Sequence, residues 1–478
     1  MKISPSTRLT RRGFLAQLGV SAAGLAFAPY VLAEREDRKR PNVLLITADD
    51  LNWDSLGVTG CAIPGVTPNI DGLAAQGMRF ERAYVTSAVC QPSRSAIMTG
   101  RYPHRNGAIG FNDINTDVPT LTESLRTAGY TNGIMAKVAH LTPQSKFCWD
   151  TVVPPAQLGD GRDPDAYYKF SKRFFEQAKS ADKPFFLMAN SQDPHRPFPD
   201  VETDKAQGRR VSRYYKPEEA QVPRFLPQNV PGLRAEVAQY FTAVHRCDET
   251  VGQVLRALKE TGAEENTIVI FLSDNGMAFP FAKTNCYETS NRTPLIVRWP
   301  GRVKPSVNHD DYVSGIDLMP TLLDAIGLPM VRGMDGTSFV PLLERRKQAG
   351  RDHVFTFFST TSAKMDFPMR CVRNERHSFI YNTWSDGKKE FRNESRGSAS
   401  FRAMQAAAKS DDKLAKEIEF YLHRVPEEFY DLKSDPYEKN NLIDAPEHKD
   451  VITKMRAQML DMMVSTKDLL LEGFRKRL

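Results

Sequence analysis

A chain of 478 residues, 26% charged and 41% hydrophobic, has the composition of an ordinary globular protein and the length for two or three structural units. Its excess of seven positive charges falls to three once residues 1–33 are set aside, because these hold Lys2, Arg8, Arg11 and Arg12 and no acid. That balance carries no strong nucleic-acid signature, and the six scattered cysteines, at 61, 90, 148, 247, 286 and 371 with no CxxC pair or zinc spacing, argue against a disulfide scaffold and read, Cys90 apart, as buried thiols.

Residues 1–33 read as an address. Thr10-Arg11-Arg12-Gly13-Phe14-Leu15 precedes an apolar run from Ala16 to Leu32, and Val31-Leu32-Ala33 ends in the small residue a signal peptidase favours. The pattern matches a twin-arginine export signal, so the expected partner is the twin-arginine export machinery and the expected location periplasmic or secreted. An uncleaved anchor is the other reading of the same run; no later segment is apolar enough to cross a bilayer.

After the charged linker Glu34–Arg40, Val43-Leu44-Leu45-Ile46-Thr47 is a short continuous apolar run of the kind found in buried parallel strands. It leads into Asp49-Asp50. Thr267 to Leu272 repeats the arrangement and delivers Asp274-Asn275-Gly276, and Pro184 to Ala189 leads through Asn190 to Asp193-Pro194-His195-Arg196. Thr293 to Arg298 resembles a fourth strand. Helical patterns lie between them, at 69–76, at 120–128 closed by Gly129, at 165–178 and at 234–258. Such alternation predicts an α/β sheet with helices on both faces and a site beyond the carboxyl ends of its strands, where the polar motifs fall. From about 345 the pattern changes to shorter strands (354–358, 379–383, 428–432) and a helix over 449–471. The expected division is therefore 1–33 signal, 34–345 catalytic domain and 346–478 C-terminal subdomain, with the Pro- and charge-rich stretch 197–232 as a loop at the pocket mouth.

Asp49 and Asp50 are neighbours whose side chains would point to opposite faces of a regular strand, so both can serve one ion only if the strand ends there. Clustered carboxylates call for a divalent cation, and an all-oxygen set with Asp274 and Asn275 favours Ca2+ or Mg2+ over zinc.

The run Cys90-Gln91-Pro92-Ser93-Arg94-Ser95-Ala96-Ile97-Met98-Thr99-Gly100 resembles the sulfatase family, whose signature C-x-P-S-R-x4-T-G it matches without a gap. The resemblance implies an alkaline-phosphatase-like fold: a central mixed, mostly parallel sheet flanked by helices, with a smaller C-terminal α+β subdomain built on an antiparallel sheet. It also implies that a formylglycine-generating enzyme oxidises Cys90 to formylglycine (3-oxoalanine), whose hydrated aldehyde is a metal ligand and captures and then sheds sulfate. Calcium is the family's expected ion. By the same resemblance Arg94 supports the hydrated aldehyde, Lys137 and His140 lie in the second signature, His195 is the acid for the leaving group, and Lys283 binds sulfate. Ala136 stands where glycine usually precedes the lysine. Stretches 185–196, 273–287, 367–372 and 428–436 look most like the heparan N-sulfatases, which implies a sulfated carbohydrate substrate, the N-sulfate of glucosamine. An O-sulfatase on a sulfated glycan, a phosphoester or phosphonate hydrolase, and an unmodified carbohydrate-binding protein are the rival readings.

Overall fold

The computed structural model describes residues 40–478 apart from Arg210; the signal-peptide reading therefore lies outside the described residues. Residues Asn42–Leu478 pack as one compact unit, and no described helix is long and apolar enough to cross a membrane.

Among the described residues, fourteen strands form three sheets: β1 Asn42–Asp49, β2 Met78–Phe80, β3 Ala83–Tyr84, β4 Thr131–Met135, β5 Thr151–Val153, β6 Phe185–Pro194, β7 Thr267–Ser273, β8 Leu295–Arg298, β9 Ser306–Asn308, β10 Val313–Ser314, β11 His353–Thr360, β12 Asp366–Asn374, β13 His377–Asn382 and β14 Glu427–Asp431. The main sheet has the order β5-β4-β6-β1-β7-β8-β2-β9. β1 lies at its centre, parallel to both β6 and β7, and Val43, Leu44 and Leu45 along it are wholly buried. A strand covered on both faces has no polar side to present, which is why its sequence shows a continuous apolar run without alternation. β8 joins the sheet antiparallel to β7, a direction its apolar run does not encode.

Six helices matter for the site and its supports: α1 Pro68–Ala74, α2 Cys90–Thr99, α3 Leu121–Thr127, α4 Pro164–Ser180, α5 Leu233–Glu260 and α6 Lys449–Thr466. α3 starts on a capping box in which Thr120 accepts from the Glu123 backbone N–H, and Gly129, at φ 86°, turns the chain away after its last turn. α4 and α5 pack against the face of the sheet that carries Leu44 and Ile46, in one core with Phe185 and Phe271. The helix expected to reach 471 stops at Thr466, where Lys467 adopts a left-handed conformation (φ 55°). The loop stretch 197–232 contains one short helix, Val201–Ala206.

β11 to β14 form a separate four-stranded antiparallel sheet in sequence order. Its residues Met369, Cys371, Ile380 and Tyr430 share the core that holds Leu44 and Phe271, so apolar packing runs continuously between this sheet and the main one. α6 covers the opposite face through Met455, Met459 and Met463. Cys247, Cys286 and Cys371 are buried as expected, whereas Cys61 and Cys148 are only half-buried, in surface loops near the exposed Gly60 and Asp150.

Candidate active site

The carboxyl ends of β1, β4, β6 and β7 meet the amino end of α2, and every residue singled out in the sequence is found there. β1 ends at Asp49, and Asp50 follows in the left-handed region at φ 68°. That single reversal turns two adjacent side chains, which a continuing strand would have splayed, toward the same point. Oxygens of Asp49, Asp50 and Asp274 and the Cys90 sulfur lie within 4.8 Å of one another, all buried. Past β7, Gly276 passes so close to the Thr289 carbonyl that a Cβ would sit 1.8 Å from its oxygen, so only glycine lets the chain turn directly after Asp274-Asn275.

Cys90 opens α2, with its Sγ 3.2 Å from Asp49 Oδ1. Burial pushes its thiol well up, and the Asp49 carboxylate adds to the effect. One turn along α2, Arg94 is wholly buried. Its Nη1 donates to Thr47 Oγ1 (2.7 Å) and Asn190 Oδ1 (2.6 Å), and its Nη2 lies 2.7 Å from Asp274 Oδ2. The guanidinium is thus fixed by groups from three strand ends, and Asn190 is in turn anchored by donating to the Met135 carbonyl at 2.9 Å.

Lys137 follows β4 through two consecutive left-handed residues, Ala136 (φ 53°) and Lys137 itself (φ 51°), and pairs closely with Asp49. The first is the place where glycine would be unstrained. Lys283 Nζ lies 2.8 Å from Asp50. Left-handed non-glycine residues thus gather at the site, at Asp50, Ala136, Lys137, Phe281 and Thr284, as strained backbone tends to at functional centres. His140, in the turn Val138–His140, is held neutral, its pKa pushed down to about 3 by burial and by the ammonium of Lys137. His195 follows β6. Its Nδ1 is 2.5 Å from the Arg196 carbonyl, which can only accept, so Nδ1 carries the hydrogen and Nε2 faces the site, 3.9 Å from Asp50.

Electrostatics separate the acids. Burial raises all three, but Lys137, His195 and Arg94 reverse the effect at Asp49 and hold it well below the usual range. Asp50 stays raised because burial outweighs the attraction of Lys283, and burial lifts Asp274 to about 7 against the pull of Arg94. Asn275 Oδ1 is a buried acceptor that receives no hydrogen bond, while Asp49 Oδ2 and Asp274 Oδ2 meet the charged groups of Lys137 and Arg94. Three buried carboxylates crowded within 4.8 Å, beside an amide oxygen that accepts nothing, form an all-oxygen set that fits a hard divalent cation, and Asp49, Asp50, Asp274 and Asn275 are the residues that would hold it.

The site opens into a cleft of about 430 Å³ lined by Cys90, Lys137, His140, His195 and Lys283, with Phe111, Gln192, Thr361 and Glu394 among its walls. Sequence reasoning missed several contributors. Thr47 and Asn190, acceptors for Arg94, are inconspicuous polar residues at strand ends. Arg162, in the turn before α4, and Arg246, on α5, grip Asp193 at 3.3 and 2.7 Å and so secure the loop carrying His195. Glu394 comes from a C-terminal segment with no periodic pattern; nothing in its local sequence marks it.

The family model for sulfatases matches residues 41–328, and that for the C-terminal region of N-sulphoglucosamine sulphohydrolase matches 277–395. Human N-sulphoglucosamine sulphohydrolase is 31% identical over 90% of this chain and 91% of its own. An ulvan-active sulfatase of Formosa agariphila is 27% identical over 91% of this chain and 82% of its own. Among solved structures, an enzyme in complex with its substrate D-glucosamine-2-N,6-O-disulfate superimposes with a TM-score of 0.66 at 20% identity, covering 90% of this chain and 99% of that one. Similarity of this extent, over the sheet and the cleft alike, shows that the chain belongs to the sulfatase family of sulfuric ester and sulfamide hydrolases.

Proposed function

We propose that this chain removes the N-sulfate of glucosamine in a heparan-type glycan, with Cys90 matured to formylglycine and Ca2+ held by Asp49, Asp50, Asp274 and Asn275. The observation that carries the reading is Cys90 itself, buried at the amino end of α2 beside Asp49 and at the floor of a cleft lined with cations. The 31% identity with N-sulphoglucosamine sulphohydrolase and the match to the C-terminal model of that enzyme support the N-sulfate over an O-sulfate.

The cation, when bound, supplies positive charge that lowers the pKa of a hydroxyl at position 90, and formylglycine supplies that hydroxyl in hydrated form. The chain's own residues do the rest. Arg94, pinned by Thr47 and Asn190, keeps a permanent positive charge under position 90. Lys137 and Lys283 direct ammonium groups at the sulfuryl oxygens, where negative charge builds as sulfur is attacked. His195, entering as the imidazolium with a proton on each ring nitrogen, gives the Nε2 proton to the leaving nitrogen and keeps the Nδ1 hydrogen; as the N–S bond breaks, its electron pair stays on nitrogen and takes that proton, and glucosamine departs as an amine. His140, neutral, contributes a hydrogen-bonding wall and no charge.

Mass spectrometry of the peptide carrying position 90, from protein made in a host with the maturation enzyme, is expected to show the aldehyde; a persistent thiol in active protein ends the reading. A panel of N- and O-sulfated glucosamines is expected to favour the N-sulfate, and preference for an O-sulfate or for phosphonate monoesters ends the substrate assignment. The twin-arginine pattern at Arg11-Arg12 makes periplasmic or secreted the proposed location. Replacing both with Lys and finding undiminished export removes it.

A further inference from the structure

One wall of the cleft carries a charge of the wrong sign for its anion. Glu394 begins the turn Glu394–Gly397, contributed by the C-terminal part of the chain, and its side chain is 30% exposed toward the cleft. Its carboxylate lies 2.9 Å from Lys283 Nζ, and its oxygen, an Asp50 oxygen and a ring nitrogen of His195 all fall within 4.8 Å of one another. A carboxylate so placed repels a sulfate ester and draws part of the Lys283 charge away from it. Lys283 has no need of it as a counter-ion, because Asp50 already pairs with that ammonium at 2.8 Å.

The position is also built. Neighbouring Asn393 donates to Thr284 Oγ1 at 2.7 Å and accepts from the Tyr421 hydroxyl at 2.9 Å, which ties the turn to the loop that carries Lys283 and to the C-terminal helices. Ser395, on the other side, is fully buried. The segment therefore holds an acid at the edge of the cleft, on the side of the group that protonates the leaving atom.

We propose that Glu394 is a specificity-determining residue that receives the amine of the substrate, so that amino leaving groups are preferred to hydroxyl ones. This rests on the N-sulfate reading above. When the N–S bond breaks and nitrogen gains its proton from His195, the product is an amine that takes up a second proton near neutral pH and becomes an ammonium; an alcohol released from an O-sulfate stays neutral. With the first Glu394 forms an ion-paired hydrogen bond, both partners charged; with the second it accepts from a neutral hydroxyl only. Because the His195 proton reaches nitrogen while the N–S bond is still stretching, the nitrogen already carries two hydrogens and partial positive charge in the transition state, so the attraction favours that state and the products over the intact anionic substrate.

The test uses full-length matured protein, with glucosamine, glucose and inorganic sulfate as calorimetric ligands and N-sulfoglucosamine and glucosamine 6-sulfate as substrates, for wild type, Glu394→Gln and Glu394→Asp. Glu394→Gln is expected to weaken glucosamine binding about tenfold, the scale of a lost hydrogen bond to a charged group, while inorganic sulfate binds as tightly as before or tighter. The kcat/KM ratio of N- to O-sulfate falls by a similar factor, and Glu394→Asp, which keeps the charge, recovers much of it. A merely structural acid predicts otherwise: both ligands weaken together and the ratio stands still. That result overturns the proposal, as does a wild type that binds glucosamine no better than glucose. Wild-type protein that binds glucosamine through Glu394 but does not cleave N-sulfoglucosamine refutes the substrate assignment alone.

Discussion

Two regions of this molecule bury clusters of charge, and they treat it in opposite ways. In the C-terminal region each buried carboxylate oxygen of the main clusters has a donor. Glu428 accepts from Tyr287, Tyr430 and Asn382 at 2.8, 2.6 and 2.6 Å. Asp468 takes both arms of Arg370 at 2.6 and 3.0 Å, and Glu438 accepts from Arg373 at 2.9 Å and from the Glu288 backbone. At the strand ends of the main sheet, by contrast, three carboxylates are crowded within 4.8 Å together with Cys90, and the neighbouring Asn275 Oδ1 accepts nothing. Burial that serves the fold keeps each acid apart with its own donors; burial that serves chemistry crowds acids against one another and leaves an acceptor open for what must bind. The first kind is lost at a cost in stability, the second at a cost in turnover.

The sharpest way to break that contrast is Cys90→Ala. Turnover is expected to drop at least about a thousandfold, as for loss of a nucleophile, while the free energy of unfolding in urea stays within about 1 kcal/mol of wild type. A large loss of stability instead would make position 90 structural. Asp468→Ala is the mirror experiment: it strands Arg370 in the interior, so unfolding is expected to become easier by about 3–5 kcal/mol, with kcat per folded molecule unchanged. Turnover falling with folded protein intact would show that the C-terminal cluster reaches the chemistry.

Calcium separates the regions at a smaller scale. Raised to about a hundred times its dissociation constant it is expected to stabilise wild type by about 2.7 kcal/mol, read as a shift in melting temperature between chelator and added ion. Asp274→Asn should lose most of that shift, yet melt no lower than wild type in chelator, because one of three crowded carboxylates is gone. A full calcium shift in the variant would place the ion elsewhere.

How much of this was visible in the residues follows from the range of each interaction. The three long inner strands β1, β6 and β7 announce themselves because continuous apolar runs are dictated by burial on both faces, and the acids at their ends are legible because they follow those runs directly. Cys90 to Gly100 is legible as a fixed local pattern. The antiparallel insertion of β8 was hidden, since a short apolar run has no direction. Strand β12 was hidden too, its apolar residues interrupted by Pro368, Arg370 and Arg373, whose partners Asp468 and Glu438 lie far along the chain. Glu394, Asn190 and the Arg162 and Arg246 grip on Asp193 escaped for the same reason: each acts only once strands distant in sequence are side by side.

The joint between the two regions offers the finest test. His104 follows α2 by one short turn, stacks on Phe357 of the C-terminal sheet with centroids 5.4 Å apart, and lies 3.9 Å from Asp468. Burial, with Arg370 and Arg105 nearby and Asp468 only partly offsetting it, pushes its pKa down from 6.5 to about 4. The unfolded chain therefore binds a proton at this residue below about 6.5 that the folded chain refuses until about 4. Stability is present in full above the upper value and drains away as pH falls through the window. At pH 5 the loss from this residue comes to about 2 kcal/mol. His104→Phe keeps the aromatic stack and removes the proton site, so its unfolding free energy should fall less between pH 7 and 5 than that of wild type, by about that amount. Equal slopes would mean that the joint opens far enough to admit the proton, and that the two ways of burying charge are less insulated from each other than their hydrogen bonds suggest.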